Sequence, residues 1–298
     1  GAPTAAGLIP VTVIGESLGG NDSCDTEFKV AYRSIKVVGF GGADYSGTST
    51  THSMYRIMKS SLNFGTTGTV PTQSISIVDG GTLTVDHLVD AITEKKADII
   101  IIGYNAHLPT AANTTLVDFI ENKKGFVLMM AQDASSSDGR TLSAIMHTTV
   151  NVDYPPNDGS CQYGGCVRQF NSLDNPLIKG PFFPDLGGKY WGEDASTTYG
   201  FFLNSGDNLE SHGFEALSTN TIMWKKNANF VYIGDGGFGI GDHNSTAHTI
   251  YPCAITSNGV PRAKAGYYYA SNPHTDVYNS YFFANIIAYA IKWVQENR

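Results

Sequence analysis

The stretch GFVLMMAQD, residues 125–133, decides how the rest of the chain is interpreted. Its apolar run Phe126–Met130 predicts a buried strand, and the polar loop at 134–139 leads into a helical pattern. In an open parallel sheet, ligands and catalytic groups gather just beyond the carboxyl ends of the strands. A nucleophile would be expected at this point, and the chain has Gln132 and Asp133 there instead.

Four strand–helix units of this kind follow one another along the chain. The third strand carries β-branched residues on both faces, which is typical of a central parallel strand. Right-handed crossovers would place all the carboxyl ends at one edge of the sheet. We therefore predict an α/β fold: a three-layer α/β/α sandwich with a mostly parallel, doubly wound, flavodoxin-like sheet. The predicted strands are 35–40, 74–78, 97–104 and 126–130, and the predicted helices are 51–62, 85–95, a segment from Pro109, and 139–147.

The chain is predicted to hold one main domain. Residues 1–34 are interpreted as an N-terminal extension or an edge strand, and residues 35–298 as the α/β domain. A long irregular insertion at about 148–220 interrupts this domain, and we expect short elements within it because long structureless loops are uncommon in compact domains. After the insertion, two strands at 221–224 and 229–234 and a final helix at 280–296 are predicted.

Composition excludes some classes of partner and favours one compartment. The 298 residues include 19 basic and 27 acidic ones, for a net charge of −8, and no basic run suited to nucleic acid is present. No apolar run reaches the roughly 20 residues of a membrane span, so no transmembrane segment is predicted. Paired cysteines and a polar composition favour an exported bacterial protein, periplasmic or at the cell surface, whose leader has been trimmed; a lipid anchor before trimming is an open alternative. The four cysteines are Cys24, Cys161, Cys166 and Cys253, which allow three complete pairings, and the short loop between Cys161 and Cys166 could close as a local disulfide.

The loop GGADYSGTST, residues 41–50, separates a predicted strand from a predicted helix. Its backbone N–H groups could cradle a phosphate, or the loop could be a turn followed by a helix cap. The Gly-x-Gly-x-x-Gly pattern of dinucleotide sites fails at its third glycine in residues 39–44. A Gly-x-Ser-x-Gly nucleophile elbow is missing from all the predicted strand ends.

Histidines and acidic residues in the C-terminal third form a second set of candidates. His243 and His274 lie in two polar loops, and with Asp133 or Asp235 they could provide a general base or bind a metal. The alternative is that they are ordinary surface histidines. Asp235 begins Asp-Gly-Gly, which predicts a tight turn with glycine at positive φ.

Aromatic clusters offer a further set of candidates. Tyr190 with Trp191, and the run of tyrosines at 267–269, could stack on sugar rings because each ring has a flat apolar face and a polar edge. The alternative is that they pack the irregular region onto the sheet.

Three later segments carry a resemblance to a known family. They are NPLIKGPF at 175–182, FVYIGDGG at 230–237 and NSYFFANII at 279–287. Together with the four strand–helix units, and over about Ile35 to Arg298, they resemble the class I glutamine amidotransferase-like superfamily. The similarity is to its non-amidotransferase branches, including bacterial trehalose-utilisation-like proteins.

In the amidotransferases, a cysteine at the elbow after the fourth strand attacks glutamine, and a later histidine activates it. Here the elbow carries Gln132 and Asp133, so the resemblance implies the fold without glutaminase activity. No catalytic residue is carried over from the family.

The sequence therefore predicts an amidotransferase-like domain that binds or processes a small polar ligand, with carbohydrate as the expected class. One alternative is a hydrolase that uses the loops at 235–276, either with a divalent metal or with His and Asp alone. Another is a non-catalytic interaction module with a protein partner in the cell envelope. No cofactor is predicted outside the metal alternative. The predicted ligand-binding residues are Gly42, Asp44, Asn105, Gln132, Asp133 and Asp235.

Overall fold

The computed structural model describes residues 8–17, 20–29, 32–104, 106–130, 136–153, 167–194, 198–241, 251–267 and 274–298. The strands in these ranges are β1 Leu8–Ser17, β2 Gly20–Lys29, β3 Ser34–Phe40, β4 Ser74–Asp79, β5 Ile99–Ile102, β6 Phe126–Met130, β7 Val150–Asp153, β8 Val167–Gln169, β9 Tyr190–Gly192, β10 Gly200–Leu203, β11 Phe214–Ser218, β12 Ile222–Lys225, β13 Phe230–Ile233, β14 Ala254–Ile255, β15 Pro261–Arg262, β16 Lys264–Tyr267 and β17 Thr275–Val277.

The helices are α1 Ser53–Lys59, α2 Val85–Thr93, α3 Asn113–Glu121, α4 Ser136–Met146 and α5 Asn279–Asn297. Single turns of 3-10 helix occur at Thr110–Ala112 and Glu210–His212. Among the residues described, no helix is both long and apolar enough to cross a lipid bilayer.

Seven of the described strands form one sheet, in the order β11-β12-β13-β6-β5-β3-β4. The strands from β13 to β4 are parallel to their neighbours, and β12 and β11 add an antiparallel edge. Numbered by their position along the chain, the five parallel strands run 2-1-3-4-5, so the winding reverses between β3 and β5. The predicted α/β class and the mostly parallel central sheet are confirmed.

Side chains alternate between the two faces of this sheet and build two cores. On β5, Ile99 and Ile101 belong to one core, while Ile100 and Ile102 belong to the other. The first core also contains the apolar residues of α1 and α5, and the second contains those of α2, α3 and α4. Helices α1, α2 and α3 each bury a stripe of residues three and four apart, while the first half of α5 is buried on almost all sides.

The four predicted strand–helix units correspond to β3–α1, β4–α2, β5–α3 and β6–α4. Their ends differ from prediction by a few residues. The strand predicted at 97–104 is reduced to Ile99–Ile102, because Gly103 and Tyr104 already belong to the loop at the sheet edge. The helix expected from Pro109 is preceded by a 3-10 turn, so α3 begins at Asn113.

The predicted insertion at 148–220 contributes to three sheets. β7 pairs with β10, β8 and β9 join β17 and β16, and β11 extends the central sheet beyond β12. The last part of the insertion is therefore an edge strand of the main domain. The possible Cys161–Cys166 disulfide lies outside the described residues.

Residues 1–34 are predicted to form either an extension or an edge strand. In the structure, β1 and β2 pair with each other in a two-stranded antiparallel sheet of their own. Neither strand belongs to the central sheet.

Two buried asparagines of α5 hold the insertion against the main domain. Asn285 accepts a hydrogen bond from the Phe182 N–H at 3.0 Å and donates to the Leu177 carbonyl at 3.1 Å. Asn279 bonds to both backbone groups of Gly192, each at 2.8 Å. Buried side-chain amides need such partners, so these contacts explain why asparagines occur on the apolar face of the helix.

Candidate functional site

The candidate site lies where the winding of the central sheet reverses. β3 leads into α1 on one face of the sheet, while β5 leads through a 3-10 turn into α3 on the other face. The two connections therefore leave the sheet toward opposite faces. At such a reversal point, open α/β sheets bind their ligands beyond the carboxyl ends of the strands.

The loops that follow β3 and β5 are held together by backbone contacts. The Gly42 N–H donates to the Tyr104 carbonyl at 3.1 Å, and the Gly103 N–H donates to the Phe40 carbonyl at 2.9 Å. The two loops touch at Gly103 and Tyr45, a point that we call the crossing. A Cβ at Gly103 would lie 2.3 Å from the Tyr45 carbonyl oxygen, so the crossing requires a residue without a side chain at position 103. The two loops thus form one unit.

Two tyrosine rings meet at this crossing, one from each loop. The ring centroids of Tyr45 and Tyr104 are 5.0 Å apart, with the ring planes at 54°, and both residues are partly exposed. Burial raises the pKa of the Tyr45 hydroxyl above its usual range. Four neighbouring titratable side chains raise that pKa further: Asp194, Tyr104, Asp44 and Tyr251.

Asp44, a predicted ligand-binding residue, lies at the rim of the crossing. Its Oδ1 atom is 3.3 Å from Nε2 of His52, and 46% of the Asp44 side chain is exposed. The Nδ1 atom of His52 is buried and has no hydrogen-bond partner within the described part of the chain. Asp44 is therefore oriented by His52 while its carboxylate remains accessible to a ligand.

Five backbone N–H groups of the loop at 41–50 donate to carbonyls within the protein. Those of Tyr45 and Ser46 both donate to the Gly42 carbonyl at 2.9 Å, and that of Gly42 itself donates to the Tyr104 carbonyl. A phosphate cradle needs several N–H groups that point outward together. These contacts favour the interpretation of this loop as a turn, and the N–H group of Gly42 is not available to a ligand.

Asp235 follows β13 and is completely buried. Its Oδ1 accepts a hydrogen bond from the Gly237 N–H at 2.9 Å, and its Oδ2 accepts one from the Asp194 N–H at 3.1 Å. Burial raises the pKa of the Asp235 carboxyl well above its usual range, and the charges of Asp194 and Glu193 raise it further. Asp235 thus fixes the backbone of the segment at 193–194.

The expected reason for the glycines after Asp235 is wrong. The sequence predicts a glycine at positive φ, yet Gly236 and Gly237, both within the described residues, are not in that conformation. Gly237 is required for a different reason, because a Cβ there would lie 1.9 Å from Oδ2 of Asp194. The missing side chain at Gly237 leaves room for the carboxylate of Asp194.

Glu193 and Asp194 follow β9 and are almost fully buried. Arg168 of β8 forms an ion pair with Glu193, and the Tyr267 hydroxyl donates to the Glu193 carbonyl. Burial raises the pKa of Tyr267 well above its usual range, and the charges of Asp235, Asp194 and Glu193 add to the rise. Contacts from β8 and β16 therefore hold Glu193, and Asp235 at the end of β13 holds the next residue, Asp194. The charge of Asp194 in turn raises the pKa of Tyr45.

Cys253 packs under the loop that follows Asp235. Its N–H donates to the Ile240 carbonyl at 2.9 Å, and its thiol lies 3.5 Å from the Phe238 carbonyl oxygen. Burial raises the pKa of the Cys253 thiol to about 12. At neutral pH this cysteine is a thiol rather than a thiolate, and only the thiolate is a good nucleophile.

One further predicted site residue, His274, lies within the described ranges. His274 is exposed and immediately precedes β17. In the described part of the chain, no three His, Cys, Asp or Glu side chains are grouped so that they could hold a metal ion. Four predicted site residues lie outside the described ranges, and their roles stay predictions: Asn105, Gln132, Asp133 and His243.

Sequence reasoning singled out the loop that contains Tyr45 but not the tyrosine itself, and it missed Tyr104 and Asp194. Tyr45 and Tyr104 could have been found from the predicted strand order, because they follow the two strands at the reversal point. Asp194 had no local signal, since it lies in the irregular insertion and reaches the site through contacts with distant strands.

The sequence matches no protein-family model. It also matches no curated protein. Among solved structures, the chain is similar to the crystal structure of a ThuA-like protein from Parabacteroides merdae, with 12% sequence identity and a TM-score of 0.40. The similarity covers 85% of this chain and 99% of that one. No residue role or activity is transferred from that protein to this chain.

Proposed function

We propose that this chain is a flavodoxin-like, amidotransferase-like domain of three layers that binds or processes a small polar ligand, of carbohydrate class, without glutaminase chemistry. The observation that carries the proposal is the contact between the Tyr45 and Tyr104 rings, 5.0 Å apart, at the reversal point between β3 and β5. This is the place in an open α/β sheet where a ligand is expected.

The chemistry of the site suits a sugar better than an apolar molecule. Tyrosine rings present a flat apolar face that can pack on the C–H face of a sugar ring, and their hydroxyls lie at the polar edge. The half-exposed carboxylate of Asp44 accepts hydrogen bonds from sugar hydroxyls. A pocket that combines a few such polar groups with aromatic surface is typical of small-molecule sites.

Glutaminase chemistry is not part of the proposal for two reasons. The predicted elbow carries Gln132 and Asp133 where the amidotransferases have their cysteine. The thiol of Cys253 is buried, with a pKa of about 12, and is therefore unreactive at neutral pH.

Export to the periplasm or cell surface is also proposed, on the basis of composition. Function without a bound cofactor is part of the same proposal. A glycan or small polar ligand at the reversal point is the expected partner.

Saturation-transfer NMR with glucose, maltose and trehalose tests the proposal. Transfer to at least one sugar is expected for the wild type, with loss of the signal in Tyr45→Ala and in Tyr104→Ala. Tyr190→Ala is the matched control, because Tyr190 is also an exposed tyrosine, 40% accessible, but on β9. New resonances that grow with time would show processing in addition to binding.

Two outcomes would count against the proposal. Wild-type protein that gives no transfer to any of the sugars would remove the carbohydrate assignment and favour the interaction module. If the saturation-transfer signal is lost in Tyr190→Ala but kept in Tyr45→Ala and Tyr104→Ala, the sugar binds near β9 and not at the reversal point.

A further inference from the structure

One edge of the central sheet, at β11, is covered by another segment of the chain. The Leu217 carbonyl accepts a hydrogen bond from the Asn171 N–H, and the Ala216 carbonyl accepts one from the Asn171 side chain, each at 2.8 Å. The register of β11 against β12 also shifts between Ala216 and Ser218. Covering segments and irregularities of this kind protect a sheet edge from pairing with another chain.

The opposite edge, at β4, is open within the described part of the chain. β4 pairs with β3 in an unbroken register over Ser74–Asp79, and no described strand lies on its other side. The strand contains no proline, and its only charged residue is the last one, Asp79. A regular and nearly uncharged edge presents a row of main-chain N–H and C=O groups, and the partner that fits such a row is another strand.

A hydrogen bond at the end of β4 shows which of its main-chain groups face outward. The Gly80 N–H donates to the Gly39 carbonyl of β3 at 2.7 Å. Main-chain groups of alternate residues point to the same side of a strand, so the N–H and C=O groups of Ile75, Ile77 and Asp79 point away from β3. These three residues therefore form the outward edge.

Opposite charges lie at the two ends of this edge. Lys59 of α1 reaches the amino end, where its Nζ donates to the outward Ile75 carbonyl at 2.8 Å, and Asp79 forms the carboxyl end. Both side chains are exposed. By the alternation along a strand, Asp79 lies on the same face of the sheet as Ile75 and Ile77, which is the face that α1 covers. An antiparallel strand of the same sequence would therefore bring its acidic end to Lys59.

We infer that two copies of this chain associate through their β4 edges, antiparallel, with a two-fold axis at Ile77. Residues directly opposite each other in an antiparallel pair lie on the same face, so Ile77 pairs with its own copy and Ile75 pairs with Asp79 of the second copy. All three outward residues then form main-chain hydrogen bonds. The Ile75 carbonyl can accept from both Lys59 and the second copy, because it has two lone pairs.

This arrangement is closed and places two identical ion pairs beside the seam, each between Lys59 of one copy and Asp79 of the other. The surface lies at the edge of the sheet and not at the reversal point between β3 and β5. The inference is therefore independent of the proposed function.

Sedimentation velocity of the full chain, over about 1 to 200 μM, should show a monomer–dimer equilibrium. Lys59→Glu and Asp79→Lys should each weaken the dimer about tenfold, because each replaces two attractive ion pairs with two repulsive ones. The double variant, with both charges exchanged, should recover the dimer. Lys123→Glu is the matched control, since Lys123 is also an exposed, ion-paired lysine but contacts Asp118 of α3.

Amide hydrogen exchange of the wild type, followed by NMR, tests the same surface without a substitution. The N–H groups of Ile75, Ile77 and Asp79 should exchange more slowly as the protein concentration rises, because pairing removes them from water. Those of Ser76 and Val78 already face β3 and should not change. A urea unfolding curve for each charge variant shows whether it is folded.

Three outcomes would overturn the inference. The first is a monomer at every concentration, and the second is a dimer that both single charge variants leave unchanged, since its interface would then lie elsewhere. The third is slow exchange of the outward N–H groups that does not depend on concentration. The edge would then be covered within one chain, and the hairpin of β1 and β2, which ends at Lys29 shortly before β3, would be the nearest candidate.

Discussion

The carboxylate of Asp235 accepts a hydrogen bond from the backbone N–H of Asp194, at 3.1 Å, across 41 positions of the chain. It also accepts one from the Gly237 N–H at 2.9 Å. One buried side chain therefore fixes the loop after β13 and the segment after β9 at the same time. Because the charge of Asp194 reaches Tyr45, Asp235 influences the candidate site through another residue.

Replacing Asp235 with alanine should destabilise the protein by about 2–6 kcal/mol, because two buried N–H groups lose their acceptor and each costs about 1–3 kcal/mol. Urea unfolding followed by circular dichroism measures the change. Asp235→Asn keeps one acceptor and should cost less than the alanine variant. Asp174→Ala, at an exposed position, should stay within about 0.5 kcal/mol of the wild type. An Asp235→Ala protein as stable as that control would show that the two hydrogen bonds are not important.

The same carboxyl should make stability depend on pH. Its pKa in the folded protein is raised well above the unfolded value of about 3.9, mainly by burial, so the folded state keeps a proton that the unfolded state loses. The contribution of Asp235 is therefore complete below the unfolded pKa and is lost as the pH rises through the folded pKa.

Asp235→Asn has no such proton, so the stability of the wild type relative to the variant should fall as the pH rises from the unfolded pKa of about 3.9 through the folded pKa. Urea unfolding of both proteins across this range gives that difference directly. A difference that is constant with pH would mean that the carboxyl titrates alike in the folded and unfolded states.

Much of the fold was predictable because it is encoded locally. The run of isoleucines in Ile99–Ile102 is apolar on both faces, which only a central strand can bury on both sides. The amphipathic pattern of α5 likewise predicted a helix over nearly the observed length. Such patterns involve only a few neighbouring residues.

The site was less predictable because it depends on contacts between distant segments. Asp194 reaches the sheet edge through Asp235 and Gly237, more than 40 positions later. The glycine pattern after Asp235 was visible, but its cause was not, since the close approach of a carboxylate leaves no local signal. Strand β11 was hidden within the insertion for the same reason, as its pairing with β12 is tertiary information.

Gly103→Ala should destabilise the protein by about 1–3 kcal/mol and weaken ligand binding, because the new Cβ would lie 2.3 Å from the Tyr45 carbonyl oxygen. That oxygen is backbone, so the loop after β3 has to move and separate the two tyrosine rings. Thermal unfolding measures the loss of stability, and saturation-transfer NMR with the sugars measures the loss of binding.

Gly206→Ala is the control for this substitution. Gly206 has φ of +90°, and a Cβ added there would have no heavy atom within 4 Å, so the variant tests backbone strain without a clash. It should cost about 1 kcal/mol and leave sugar binding unchanged. If Gly103→Ala binds sugar as well as Gly206→Ala does, the crossing of the two loops does not shape the site.

Cys253 should resist alkylation in the folded protein. Its thiol is fully buried and has a pKa of about 12, so at about pH 8 the thiolate is a very small fraction of the population and iodoacetamide cannot reach it. Mass spectrometry of the peptide that contains Cys253 should show modification only above the urea concentration at which the protein unfolds. The same peptide labelled in fully denaturing urea is the control for reactivity. Rapid modification without urea would mean that the loop over Cys253 opens in the native state, and a reactive cysteine beside Asp235 would then bring nucleophilic chemistry back into consideration for this edge of the sheet.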